Sequence, residues 1–160
     1  MTDTTIVLTE VPLKPLDVAR IVSLHEGQGE RAYRVLVPAD TERNVVVSVL
    51  DHLSLFELKE AWEALKPVDR SEAHADAQEA LDTSVRELTD AGVEASGLIT
   101  EDDPVPTLEA EVKRLSAADV VIVTEPKAVE DTFHTDWASE VRERLGVPVL
   151  HVYSGDWRLG

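Results

Sequence analysis

The segment with the most chemically capable side chains is VEDTFHTDW, residues 129–137. It holds Asp131, His134 and Asp136, residue types that ligate metals or transfer protons. At helical spacing Asp131 and His134 share one face, whereas Asp136 points elsewhere. A catalytic zinc centre takes three protein ligands, so two residues on one face do not complete one. We therefore expect a structural or capping role here and predict no metal site.

The other candidate catalytic residues are scattered along the chain. The remaining histidines are His25, His52, His74 and His151, and none has metal-ligand spacing. We expect each to be a surface or hydrogen-bonded histidine. No serine lies in a Gly-x-Ser-x-Gly motif, which is typical of one class of hydrolases. The sequence thus predicts no catalytic residue and favours a protein that is not an enzyme.

Composition excludes several classes of function. A chain of 160 residues suits a single domain, 1–160, and the 43% hydrophobic but 4% aromatic content indicates an aliphatic core of helices on a buried parallel sheet. A formal net charge of −17 disfavours binding to nucleic acid or anionic membranes. Cysteine is absent, and neither a signal peptide nor a membrane-spanning run is recognisable. We expect an acidic cytoplasmic protein.

Apolar periodicity predicts strands that alternate with helices. Strands are expected over 4–10, around Val35–Val37 before Pro38, and over 93–100, 119–125 and 147–154. The expected inner faces of the helices are Leu16, Ala19, Val22; Ala77, Leu81, Val85, Leu88; Leu108, Val112, Leu115; and Phe133, Trp137, Val141, Leu145. Asp103 is the expected cap of the third of these helices. Such alternation predicts an α/β fold, a three-layer doubly wound sandwich with a mostly parallel sheet.

Residues 41–70 are expected to be a helical insertion after the second strand. Ser54–Glu57 has the pattern of a capping box, and Leu55, Leu58, Trp62 and Leu65 share one face of the predicted helix. If Leu55, Phe56 and Trp62 are not all buried internally, the insertion is a docking surface for a protein partner.

Two stretches resemble the universal stress protein family. They are EALDTSVRELTDAGVEASGLITEDDPVPTLEAEVKRLSAADVVIVTEP and ASEVRERLGVPVLHVYS, and the similarity covers residues 71–154. The resemblance implies a five-stranded parallel sheet of order 3-2-1-4-5, which is Rossmann-like and similar to adenine nucleotide alpha hydrolases. It also implies a homodimer through the last strand, Val147–Tyr153, because an edge strand has backbone groups available for pairing.

The chain departs from that family where its members bind nucleotides. In place of Val-Asp-Gly-Ser after the first strand it has LTEVP, with Glu10 as the acidic counterpart. In place of the glycine-rich phosphate loop it has TEPKAVEDTFHTDW, with no glycine between Gly97 and Gly146. Only glycine lets the backbone approach a phosphate so closely. The resemblance therefore implies a regulatory or binding protein with a degenerate nucleotide site and no cofactor; the alternative is a protein that binds ATP or AMP with magnesium.

Ligands of open α/β sheets bind at the carboxyl ends of the strands, where the strand order reverses. For the implied order this point lies between the first and fourth strands. The candidate binding residues there and on the second strand are Thr9, Glu10, Val37, Asp40, Thr124 and Glu125. Together with Glu101, Asp102 and Asp103 they make the carboxyl ends of the strands, hereafter the carboxyl edge, rich in acids. Such an edge favours a cation, a magnesium-bridged ligand or a basic partner. The alternative is that these acids only cap helices.

Overall fold

The computed structural model describes residues 2–39, 70–101, 104–124 and 142–155. The strands are β1 (Asp3–Thr9), β2 (Arg31–Pro38), β3 (Glu94–Thr100), β4 (Asp119–Thr124) and β5 (Val149–Tyr153). The helices are α1 (Pro15–Leu24), α2 (Arg70–Asp90) and α3 (Val105–Leu115), and residues 142–145 are also helical. The insertion over 41–70, with Leu55, Phe56 and Trp62, lies outside the described residues except at its last position, and the segment 129–137 lies wholly outside them.

The five strands form one sheet with the order β3-β2-β1-β4-β5, and every neighbouring pair is parallel. This confirms the doubly wound α/β fold class. The central strand β1 has Ile6, Val7 and Leu8 at 1% exposure or less. Burial on both faces explains why the strands are continuous aliphatic runs rather than alternating ones.

Helices cover both faces of the sheet. On one face α1 and α2 pack through Val18, Ile21, Ala77, Ala80, Leu81 and Leu88. On the other face α3 packs through Val105, Leu108 and Val112, joined by Leu145 and Val147. Gly146, with φ +61°, separates residues 142–145 from the last strand, where the sequence predicts the helix to end.

Two helix predictions are wrong in detail. The buried residues of α1 are Asp17, Val18 and Ile21, whereas Ala19 is exposed and Leu16 is half-buried. The prediction failed because α1 has apolar residues on two sides, and apolar spacing alone does not say which side meets the sheet. At α3 the residue before the helix is Pro104 rather than Asp103, and Pro106 provides the proline of the first turn.

One carboxylate on α3 is paired with two arginines. Glu111, whose side chain is 10% exposed, accepts hydrogen bonds from Arg34 Nε and Arg114 Nη2, both at 2.9 Å. Hydrogen bonding by Arg114, opposed by burial and assisted by Arg34, lowers the pKa of Glu111 from 4.5 to about 2. Through these two ion pairs Glu111 connects α3 to Arg34 of β2.

Glu111 makes stability depend on pH. A carboxylate with a depressed folded pKa stabilises the fold above its unfolded pKa, and that contribution is lost as the pH falls from 4.5 towards 2. The shift corresponds to at most about 3 kcal/mol. We expect Glu111→Gln to flatten the curve of unfolding free energy over this range in urea titrations. Glu109→Gln, which removes a more exposed carboxylate on α3, should leave the pH dependence of the unfolding free energy unchanged. If the curves of unfolding free energy against pH are parallel for Glu111→Gln and the parent, the depressed pKa of Glu111 is contradicted.

Candidate functional site

The carboxyl ends of β1 and β4 bring three of the predicted site residues together. Thr9 pairs with Val123, and the N–H of Glu10 donates to Val123 O at 3.5 Å, so both lie beside the end of β4. Thr9 and Thr124 are fully buried, whereas Glu10 is half-buried just beyond β1. These three residues therefore line the point at which the strand order reverses.

Of the other predicted site residues, the structure describes only Val37. Val37 is 1% exposed and belongs to the apolar core beneath α1 and α2. It follows Leu36, which pairs with Leu8, so it lies level with Thr9 but contributes only an aliphatic side chain. Asp40 and Glu125 lie outside the described residues, and so do residues 126–141.

The described hydroxyl groups at this edge already have partners within the chain. Thr9 Oγ1 donates to Val11 O at 2.6 Å and accepts from Val11 N–H at 3.3 Å. Thr100 Oγ1 donates to Glu101 O at 2.9 Å. Thr124 Oγ1 lies 2.7 Å from His151 Nε2 in a buried contact. To donate a hydrogen bond to a ligand, the Thr9 and Thr100 hydroxyls would first have to break these internal bonds.

The buried side chain of Asp17 accepts a hydrogen bond from the backbone at the amino terminus of α1. Its carboxylate is completely buried and accepts from Lys14 N–H at 2.9 Å, Ser154 Oγ at 2.7 Å and Gly155 N–H at 2.7 Å. Pro15, at the first position of the helix, has no N–H to offer. An anionic ligand would have to compete with this carboxylate for the positive end of α1.

Asp17, Ser154 and His151 were not among the residues that the sequence predicted for this site. A signal for Asp17 exists, because proline at the first helical position with an acid two residues later is typical of a helix start. No local signal identifies its partner Ser154, which is 137 residues away along the chain. The burial of His25 and His151 agrees with the expectation of hydrogen-bonded histidines.

The contact between Thr124 and His151 has the residue types of a nucleophile and its base. A nucleophile that acts on a substrate must be reachable, and these residues are 1% and 4% exposed. The His151 ring also lies against Tyr153, with ring centroids 4.9 Å apart. This arrangement joins β4 to β5 and offers no open position for a substrate.

Charge at the carboxyl edge is of both signs. Among the described residues, Glu10 and Glu101 supply carboxylates, and Lys14 is an exposed cation near the end of β5. A Cβ added at Gly155 would lie 3.2 Å from Lys14 Nζ, so the lysine extends over this glycine. Within the described ranges no three histidine, aspartate or glutamate side chains converge as a metal site would require.

Comparison with known proteins gives matches at the level of structure only. No family model and no curated protein matches the sequence. The hypothetical protein MJ0577 matches with a TM-score of 0.56 and 18% identity, over 98% of this chain and 99% of that chain. A universal stress protein from Archaeoglobus fulgidus matches with a TM-score of 0.53 and 14% identity, over 94% of both chains. The chain has the universal stress protein fold.

A third structure with this fold contains a ligand. It is a universal stress protein family protein from Arabidopsis thaliana, solved with AMP bound, and it matches with a TM-score of 0.51 and 14% identity over 95% of this chain and 92% of that one. At such identities the universal stress protein fold is what the comparison establishes for this chain. In the described residues, no helix has the length and apolar character needed to cross a membrane.

The Asp17 contacts predict a measurable loss of stability. Asp17→Asn keeps the side-chain shape but leaves one oxygen to serve three donors, so we expect the unfolding free energy to fall by about 1–3 kcal/mol. Urea denaturation at neutral pH measures this loss. Asp82→Asn is the matched control, because Asp82 is exposed on α2 and accepts a hydrogen bond from Gln78 on the same helix. An equal effect of the two substitutions would show that the Asp17 contacts do not stabilise the fold.

Proposed function

We propose that this chain is a universal stress protein-like regulatory or binding protein, cytoplasmic and non-enzymatic, whose nucleotide site is degenerate. The observation that supports this most directly is the internal use of the carboxyl edge. Thr9, Thr100, Thr124 and Ser154 all bond within the chain, and the Asp17 carboxylate meets the amino terminus of α1. A nucleotide would gain few new hydrogen bonds there and would face a carboxylate where its phosphates need donors.

The sequence of the loop after β4 supports the same proposal. Residues 98–145 contain no glycine, so every peptide N–H in that stretch is next to a Cβ or a proline ring. Phosphate loops depend on backbone N–H groups that approach the ligand without such an obstruction. The absence of glycine removes the usual means of holding a triphosphate.

A second candidate function is binding of ATP or AMP with magnesium, with slow hydrolysis as a further possibility. The AMP-bound protein from Arabidopsis thaliana favours it, because that protein shares the fold. Lys14 supplies a cation beside the crevice, and the half-buried Glu10 supplies an oxygen ligand of the kind magnesium accepts. Asp40 and Glu125 would be the other acids in such a site.

Calorimetric titration with ATP and with AMP, each with and without magnesium, separates the two candidates. The degenerate site predicts a dissociation constant weaker than about 1 mM, a binding free energy smaller than about 4 kcal/mol. Micromolar binding would overturn the degenerate site. In that event Lys14→Ala should weaken binding and Lys113→Ala should not, because Lys113 is an exposed lysine on α3 that pairs with Glu109.

We also propose a homodimer through the last strand, Val147–Tyr153. Its support is the position of β5 at one end of the sheet. The bond from Ser154 N–H to Thr124 O implies that the backbone groups of Val149 and Tyr153 point away from β4. Arg142 donates to Val149 O and Arg20 donates to Tyr153 O, each at 3.3 Å. Backbone pairing with a second copy would therefore have to displace these arginines from the two carbonyl groups.

Two substitutions at one position test whether the dimer depends on backbone pairing. Tyr153→Pro removes an N–H that points away from β4, and proline is tolerated at sheet edges. Tyr153→Ala removes the same ring but keeps the N–H. Sedimentation velocity should show a dimer for the parent chain and Tyr153→Ala, and a monomer for Tyr153→Pro. A monomeric parent chain across the accessible concentrations would overturn the homodimer.

A further inference from the structure

A groove of about 910 Å³ lies between α1 and the carboxyl-terminal end of α2. It runs along α1 from Pro15 to His25 and includes the starts of β2 and β3 at Arg31 and Glu94. This α1–α2 groove thus opens towards the amino-terminal ends of the strands, opposite to the crevice at Thr9 and Thr124. Its volume is in the range of ligand-binding clefts.

One wall of the α1–α2 groove is an apolar face of α1. Pro15, Val18, Ala19 and Val22 line it, and their spacing of three, one and three residues places them on one side of the helix. Ala19 and Pro15 are exposed, because the face of α1 that meets the sheet is centred on Val18 and Ile21. Across the groove, half-buried Val93 lies before β3. The groove therefore presents aliphatic side chains along about two turns of helix, or about 10 Å.

The rim of the α1–α2 groove is acidic. Its carboxylates are Glu26, Glu30, Glu87, Asp90 and Glu94. Within the described residues, ion pairs join basic side chains to Asp3, Glu109, Glu111 and Asp119, but to none of the rim carboxylates. The rim thus has five carboxylates without a cationic partner in the described part of the chain.

The backbone adds to this negative charge. Helix α1 ends at Leu24 and α2 ends at Asp90, so both negative helix ends meet the α1–α2 groove. Neither helix has a basic residue in its last turn. Carbonyl groups at the two helix ends therefore favour a cation at the same place as the rim carboxylates.

The arginine in the groove does not offset the rim. Arg31 Nη1 donates to Asp119 Oδ1 at 3.3 Å and to Thr5 Oγ1 at 2.8 Å, and its side chain is only 7% exposed. His25 Nε2 lies 2.8 Å from the second oxygen of Asp119. Burial raises the pKa of the neighbouring Tyr33, so that hydroxyl stays neutral at physiological pH. Asp119 thereby neutralises the arginine and leaves the rim charge uncompensated.

We propose that the α1–α2 groove binds a basic amphipathic helix of a partner protein. The apolar face of that helix would lie on Pro15, Ala19 and Val22. Its lysine or arginine side chains would reach the rim, with Glu26 and Glu30 on one side and Glu87, Asp90 and Glu94 on the other. Carboxylates on both sides of an apolar floor match the helix-in-groove mode of recognition. A small cation could contact only part of this rim. The proposal goes beyond the degenerate nucleotide site and holds whether or not a nucleotide binds at the opposite edge.

The test uses a fluorescent synthetic helix of leucine and lysine, about 18 residues long, with its leucines on one face. Anisotropy at about 0.15 M salt should show binding that is much weaker for a scrambled peptide of the same composition. Amide chemical-shift changes should concentrate on α1, the end of α2 and the start of β3. Equal binding of the scrambled peptide, or shift changes spread over the acidic surface, would overturn the proposal.

Two matched pairs of variants separate the groove from the general negative charge of the protein. Glu87→Gln with Glu94→Gln should weaken binding about fivefold, whereas Asp76→Asn with Glu79→Gln, which removes two exposed acids from the other part of α2, should not. Ala19→Lys places a long, positively charged side chain in the groove and should reduce peptide binding at least about tenfold. Ala110→Lys, on the exposed face of α3, adds the same charge elsewhere and should leave peptide binding unchanged. Equal effects within each pair would overturn the groove as the binding site.

Competition with spermidine distinguishes a site for a small cation from a site for a helical partner. If spermidine displaces the peptide and gives the same pattern of chemical-shift changes at comparable concentration, the groove is a site for a small cation and a helical partner is excluded. If Ala19→Lys does not fold, the glutamine variants still decide the outcome, because they keep the size of the side chains of half-buried Glu87 and exposed Glu94.

Discussion

The rest of the structure depends on a parallel sheet that is buried on both faces. Its central strands are fully covered by α1 and α2 on one side and α3 on the other, so no polar ligand can be bound on a face. Polar side chains of the described residues cluster at the two edges at which the strands begin and end, and the pair of Arg34 with Glu111 on the α3 side is an exception. Within the described part of the chain, polar groups therefore gather at the carboxyl edge near Thr9 and Thr124 and at the amino edge near Arg31 and Asp119.

The two edges treat their polar groups differently. At the carboxyl edge, buried Asp17 draws together Lys14, Ser154 and Gly155, and the threonine hydroxyls bond to neighbouring groups. At the amino edge, Asp119 holds Arg31 and His25, but the carboxylates above them have no cationic partner in the described residues. At the carboxyl edge, internal hydrogen bonds lower the free energy that a ligand can gain by binding. At the amino edge, carboxylates without a cationic partner in the described residues raise the free energy that a basic partner can gain.

Sequence patterns were sufficient for the fold and insufficient for the contacts. Aliphatic runs such as Ile6–Leu8 and Val120–Val123 predicted strands because a strand buried on both faces needs them, and the strand ends differ from the structure by only a few residues. The face of α1 was misassigned because this short helix has apolar residues on two sides. The pairing of Asp17 with Ser154 depends on the whole strand order, which local spacing does not encode.

Helix α1 connects all these features because it is fixed at both ends. Near its start Asp17 bonds to the end of β5, and just past its end His25 bonds to Asp119 at the start of β4. Between these points Val18 and Ile21 are fixed in the core, so the adjacent side of the helix, with Pro15 and Ala19, has little freedom to move. A wall that is already fixed loses little conformational entropy when a partner binds to it. The contacts that occupy the carboxyl edge therefore also prepare the apolar wall of the groove between α1 and α2.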